Sequence, residues 1–247
     1  MMRTRYSGDH KLAIIAVAAT VIVSTAFAAT LTETFNASPF VGDGGSFTLK
    51  GPGVAQFTHL SNAPAFTGDP AGSLEVGYDT LEPSTRLTAP LGMAVTETDT
   101  FSFGAVLTIR SAGFYADPNG FAQIAFGLIN STTTGLDRTG DVLDFDNDTF
   151  DMVEFNYFPN ASSFFGGPFV SPTTLGAQVG TSAFNNVVFS SLEFTLPLDT
   201  PLRMEFTYDG GISILTGTID SIAPDGTLMP LATTVPLDIF NPSGAFA

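Results

Sequence analysis

"DMVEFNYFPN", residues 151–160, is the stretch whose reading decides the fold. Successive side chains on an extended segment point to opposite sides. Val153, Phe155 and Tyr157 therefore share one face, and Glu154, Asn156 and Phe158 the other. Pro159 has no N–H to give to a ladder and stops it, and Asn160 follows. The segment predicts a strand with a core on one side. Its other side ends in a carboxylate, an amide, a backbone carbonyl and a second amide.

Just upstream, "DFDND" places Asp144, Asp146 and Asp148 at alternate positions. That spacing suits calcium loops, in which side chains at positions 1, 3 and 5 converge on one ion. An EF-hand would also need Gly at the sixth position and Glu at the twelfth, where this chain has Thr149 and Phe155. Two readings stay open for the three aspartates: a looser calcium loop, and a solvated acidic loop ahead of a buried strand.

Outward from this segment the chain reads as all-β. Gly, Pro, Ser, Thr and Asn punctuate short β-branched and aromatic runs. These are 46–50, 54–60, 73–78, 85–89, 101–110, 121–130, 150–158, 185–190, 201–209 and 211–219. Many short strands at such spacing predict an antiparallel sandwich or barrel. In 101–109, Phe101, Phe103, Ala105, Leu107 and Ile109 share one face and Ser102, Gly104, Val106 and Thr108 the other. Asp209-Gly210-Gly211 predicts a hairpin between two such runs. "DPNG" (117–120) and "PDGT" (224–227) predict further turns. "LTETFNA" near the start of the expected mature chain has no obvious C-terminal partner. Either the chain is shortened or its last strand lies within 227–240.

The first 28 residues read differently. Arg3, Arg5 and Lys11 precede an uncharged apolar run that ends in Ala26-Phe27-Ala28, the grammar of a secretory signal. One domain is expected over residues 29–247, secreted to the cell exterior or surface, or to a periplasm. Without residues 1–28 the chain keeps five Lys/Arg against 23 Asp/Glu, a net charge of −18. Nucleic acid and anionic lipid need a basic footprint, so neither is expected as a partner, and no membrane association is expected after signal cleavage. The chain has no cysteine, so no disulfide framework holds it. Stability must come from apolar burial, for which 24 Phe are the main resource.

"VEFNYFPN" resembles the metal-binding strand of the legume (L-type) lectins. On that resemblance Glu154 matches a transition-metal ligand and Asn156 the bridging Asp. Phe158 matches the residue that gives its carbonyl to calcium, and Asn160 the calcium amide ligand. Asn156 carries no charge, "ASSFFGGP" offers no second bridging Asp, and the expected mature chain has only His59. The resemblance thus implies a single calcium site, helped by Asp144, Asp146 and Asp148, rather than a metal pair. "TFDMVE" (149–154) also resembles the active strand of laminarinase-type hydrolases of the same superfamily, with Asp151 and Glu154 in place. Thr149 stands at the nucleophile position, where a hydroxyl without an activating base cannot replace a carboxylate. Those hydrolases line their cleft with Trp, and this chain has none. No enzymatic activity is expected.

The longer stretches "GSLEVGYDTLEPSTRLTAPLG", "GFAQIAFGLINSTTTGLDRTGD", "DTFDMVEFNYFPN" and "PLDTPLRMEFTYDGGISILTGTI" make the whole chain similar to the concanavalin A-like lectin/glucanase jelly roll. Within it, the chain resembles exported bacterial proteins of unknown function. That kinship implies a fold and a compartment but no established activity. The lectin-like strand and the missing nucleophile lead to the expectation of a secreted, non-catalytic lectin-like module that binds a polysaccharide or glycoconjugate, with calcium as its cofactor. Asp151 and Tyr157 are the expected ligand contacts, within an aromatic group that includes Phe114, Tyr115, Phe158, Phe164, Phe165 and Phe169. A structural or cell-surface matrix module without a glycan ligand is the alternative, and a degenerate glycoside hydrolase a third. His59 reads as a strand or turn surface residue. "GDGGS" (42–46) reads as a turn, because it lacks the Lys and following helix of a phosphate loop.

Overall fold

The computed structural model describes residues 14–24, 29–50, 57–60, 72–77, 86–93, 95–96, 98–110, 123–129, 152–159, 167–175, 188–238 and 245–246. These residues form antiparallel sheets and one 3-10 turn, Val41–Asp43. No helix among them is long and apolar enough to cross a membrane.

The larger sheet has nine strands. Its members are β1 (Ile14–Ser24), β2 (Ala29–Glu33), β4 (Phe57–Leu60), β5 (Ser73–Val76), β8 (Thr100–Ile109), β14 (Leu202–Asp209), β15 (Ile214–Ile222), β16 (Leu228–Thr233) and β17 (Leu237–Asp238). The order is β16-β15-β14-β8-β1-β5-β4, with β17 on β15 and β2 on β1. A five-stranded sheet holds β9 (Ile124–Ile129), β10 (Met152–Phe158), β11 (Phe169–Leu175), β12 (Val188–Phe189) and β13 (Leu192–Glu193). Its order is β12-β11-β10-β9, with β13 also on β11. Two small ribbons complete the described structure: β3 (Thr48–Lys50) with β6 (Arg86–Thr88), and β7 (Val95–Thr96) with β18 (Ala245–Phe246).

The two sheets face each other across one core. Alternation sends Leu202, Met204, Phe206 and Tyr208 of β14 inward, while Arg203, Glu205, Thr207 and Asp209 stay half-buried on the outer face. From β8, Phe101, Leu107 and Ile109 are buried and Phe103 packs against the same core. The smaller sheet answers with Leu128, Val153, Phe155, Tyr157 and Val170. Phenylalanines bridge the layers: Phe126 lies 5.8 Å from Phe103, 6.4 Å from Phe206 and 5.7 Å from Phe155. Each buried Phe removes enough apolar surface to contribute about 2–3 kcal/mol, which is how a chain without disulfides closes its core. Gly217 of β15 sits under Phe155, and a Cβ there would stand 2.9 Å from the ring.

All ten expected runs contain a strand. The Asp209-Gly210-Gly211 hairpin forms with a four-residue connection: Asp209 pairs Ile214, and the Asp209 carboxylate accepts from the Gly211 N–H at 2.9 Å. "PDGT" is a turn, with Gly226 at φ 84°. "GDGGS" turns through the 3-10 segment with Gly44 at φ 91°. "DPNG" lies outside the described residues. A long strand does lie within 227–240, β16, but it lines the β15 edge and does not meet β2. His59 is more than a surface residue. It is half-buried on β4, and its Nε2 donates to the Phe35 carbonyl at 2.7 Å. Phe35 is buried at φ 53°, with Gly72 packed on the same carbonyl.

The apolar segment read as the body of a signal forms β1. It pairs β8 along its length, from Ile14 opposite Ile109 to Ser24 opposite Thr100. Its other flank is shared, with β5 opposite 14–16 and β2 opposite 19–23.

Candidate functional site

β10 runs between β9 and β11, so both of its flanks are hydrogen-bonded and both of its faces are covered. All seven of its residues are buried. On the core side lie Val153, Phe155 and Tyr157. The opposite face holds Met152, Glu154, Asn156 and Phe158. Register builds the site around them. Gly127 and Thr173 flank Glu154, Ala125 and Ser171 flank Asn156, and Phe169 pairs Phe158.

The result is a polar row with apolar ends. Glu154 is 5% exposed and Asn156 1%, with Ser171 and Thr173 also buried. Gln123, one residue before β9, lies diagonally across from Asn156. Its Nε2 donates to Asn156 Oδ1 at 2.5 Å and to Glu154 Oε1 at 3.3 Å. The Ser171 and Thr173 hydroxyls lie 3.1 Å apart. At one end Phe158 and Phe169 stack with ring centroids 4.6 Å apart. At the other, Met152 packs against Ile129. Keeping a carboxylate on a covered sheet face costs several kcal/mol unless it is hydrogen-bonded, and Gln123 supplies one such bond.

The expected site residues divide accordingly. Glu154, Asn156 and Phe158 share one face, as the alternation requires. Asp144, Asp146, Asp148, Asp151 and Asn160 lie outside the described residues. Tyr157 lies on the core side of the strand, fully buried, and its hydroxyl accepts from the Leu196 N–H at 3.3 Å. Phe169, grouped with the loop aromatics, is on β11 and closes the row. Phe114, Tyr115, Phe164 and Phe165 lie outside the described residues.

Sequence reading missed Gln123, Ser171 and Thr173. The period of two in "FVSPTTL" carries a signal for the last two, since Phe169, Ser171 and Thr173 fall on one face. Gln123 offers no such signal, because its role depends on a diagonal pairing between strands distant in sequence.

A cation bridging Glu154 and Asn156 does not fit this donor set. The two oxygens it would take both accept from one amide nitrogen, and only one of the two side chains is charged. Among the described residues, no group of three or more His, Asp or Glu is placed to hold a metal ion.

The fold and the row together define an antiparallel β-sandwich with a covered polar row on the outer face of its smaller sheet. Comparison with known proteins finds no matching family, no matching curated protein and no matching solved structure.

Proposed function

We propose that the chain is an exported, non-catalytic, lectin-like module of the concanavalin A-like jelly-roll type that binds carbohydrate. One observation carries this reading: the face of β10 turned away from the core bears Glu154 and Asn156, beside Gln123, Ser171 and Thr173, with the stacked Phe158–Phe169 pair at its end. A covered sheet face with a purely structural role would be filled with apolar residues, since buried polar groups add little net stability. Hydroxyls, amides and one carboxylate next to an aromatic edge suit a sugar, whose hydroxyls need paired donors and acceptors and whose C–H face packs on a ring. Calcium belongs to the proposal through Asp144, Asp146, Asp148 and Asn160.

Glycan-array screening followed by calorimetry, with and without EDTA, tests this reading. Binding of at least one polysaccharide class, weakened by Asn156→Ala, is the expected result. No binding to any class sinks it.

A second reading has its own support. The edge strand β16 exposes Leu228, Met229 and Leu231, and Val235 follows just beyond it. Residues 226–237 carry no charge in a chain of net charge −16. An uncharged apolar edge on so acidic a protein suits a matrix module that associates with copies of itself.

A further inference from the structure

We infer that the Gln123 amide holds the place between Glu154 and Asn156 that a divalent cation would take, so that the polar row works without a metal. The inference rests on the reading of this row as a ligand floor. A bridging cation would sit about 2.0–2.6 Å from both oxygens. The Gln123 nitrogen already stands within hydrogen-bond reach of the same two atoms. An amide nitrogen and a cation cannot share that point.

The substitution is chemically coherent. The Gln amide has two N–H donors, one for each acceptor. Those donors present partial positive charge to a carboxylate, which is what the ion would supply, but on a tethered side chain. Asn156 fits the same logic. A bridging metal gains from a second carboxylate, whereas an amide donor needs only a neutral oxygen, and position 156 is neutral. With Oδ1 turned to Gln123, the Asn156 amide directs its own N–H groups away from Gln123. Space for the long Gln123 side chain comes from its neighbours on the same face, Ala125 and Gly127.

Among the described residues, the row then presents amide and hydroxyl groups with one carboxylate, Glu154. That favours a neutral, hydroxyl-rich ligand over an acidic one, because a like charge brought beside a covered carboxylate is repelled.

Titration of the full chain with Mn²⁺, read by calorimetry, tests the inference with two variants. Glu154→Gln keeps the shape of the side chain and an acceptor oxygen. It should leave Mn²⁺ binding unchanged, because any cation held elsewhere on the chain is common to both proteins. Gln123→Glu removes the occupying donors and adds a carboxylate. It should create a site at least about tenfold tighter than anything in the parent chain. The inference is overturned if Glu154→Gln weakens Mn²⁺ binding about tenfold or more, since even losing a partner that supports a metal ligand costs that much. It is equally overturned if folded Gln123→Glu gains no site. The Glu154→Gln comparison decides the matter alone if Gln123→Glu fails to fold. Absence of glycan binding would remove the lectin reading and leave this result standing. Glycan binding lost with EDTA, together with Mn²⁺ binding lost in Glu154→Gln, would keep that reading and overturn the inference.

Discussion

A Cβ at position 127 would run into the Val153 carbonyl oxygen and come within 2.8 Å of the Glu154 Cβ. Both obstacles belong to β10, the middle strand of its sheet, so neither can step aside. Gly127 thus lets β9 approach β10 closely beside the buried carboxylate. Gly127→Ala should cost about 2–3 kcal/mol, the range for overpacking a well-filled site. The check is the urea midpoint of unfolding, and an unchanged midpoint would show that β9 can move. Tyr157 carries the residue-scale lesson about legibility. Its alternation with Val153 and Phe155 was readable, and it already placed the ring in the core. The ring packs there with Val153 and Phe155. Glu154 and Asn156 were legible for the same reason, whereas Gln123 was not, because no spacing along the chain reveals a diagonal partner.

Two strands carry a proline, and the first of them, β11, went unread. β11 contains Pro172 in its middle, yet it pairs β10 from Phe169 to Leu175. On its other flank β13 takes Phe169–Val170 and β12 takes Thr173–Thr174, which leaves Pro172 at the gap between them. Its carbonyl accepts from the Ser190 N–H at 3.3 Å on that flank. A residue's N–H and C=O point to the same side of an antiparallel strand, so the missing donor falls where the ladder changes partners. β16 contains Pro230 and a register shift opposite Ile219–Asp220, and it lies at the sheet edge where both are tolerated. The same edge leaves Met229 48% and Leu231 43% exposed. If the matrix reading holds, sedimentation velocity will show concentration-dependent self-association that Met229→Lys with Leu231→Lys abolishes. A monomer at every concentration would remove that reading.

At the scale of the molecule, the all-β class and the in–out pattern of β8, β10, β14 and β15 were legible, since each strand repeats with a period of two over enough residues. The order of strands in the sheets was not, because it depends on which edges meet across long separations. The least expected neighbour is β1, set between β8 and β5. A chain beginning at Ala29 lacks that strand. Amides of β8 alternate between its two flanks, one facing β14 and the other facing β1. Hydrogen exchange on the shortened chain should therefore show every second amide across Thr100–Ile109 losing protection, by orders of magnitude where the ladder bond is gone. Uniform protection would mean that another segment has closed the seam.

The position of β1 also bears on how the N-terminal arm is held. Among the described residues, the β4–β5 hairpin joins the ladder of the large sheet through β1 alone. That hairpin carries His59, whose ring grips the Phe35 carbonyl, and Gly72, immediately before β5, packs on the same atom. A chain that begins at Ala29 would lack this tether. The hairpin and the arm clasped to it would then ride on the sandwich as a flap, secured by the packing of Leu74 and Val76 rather than by a backbone ladder. Loss of the residues before Ala29 would thus loosen more than one strand, because the hairpin and the arm beside it hang on the same ladder.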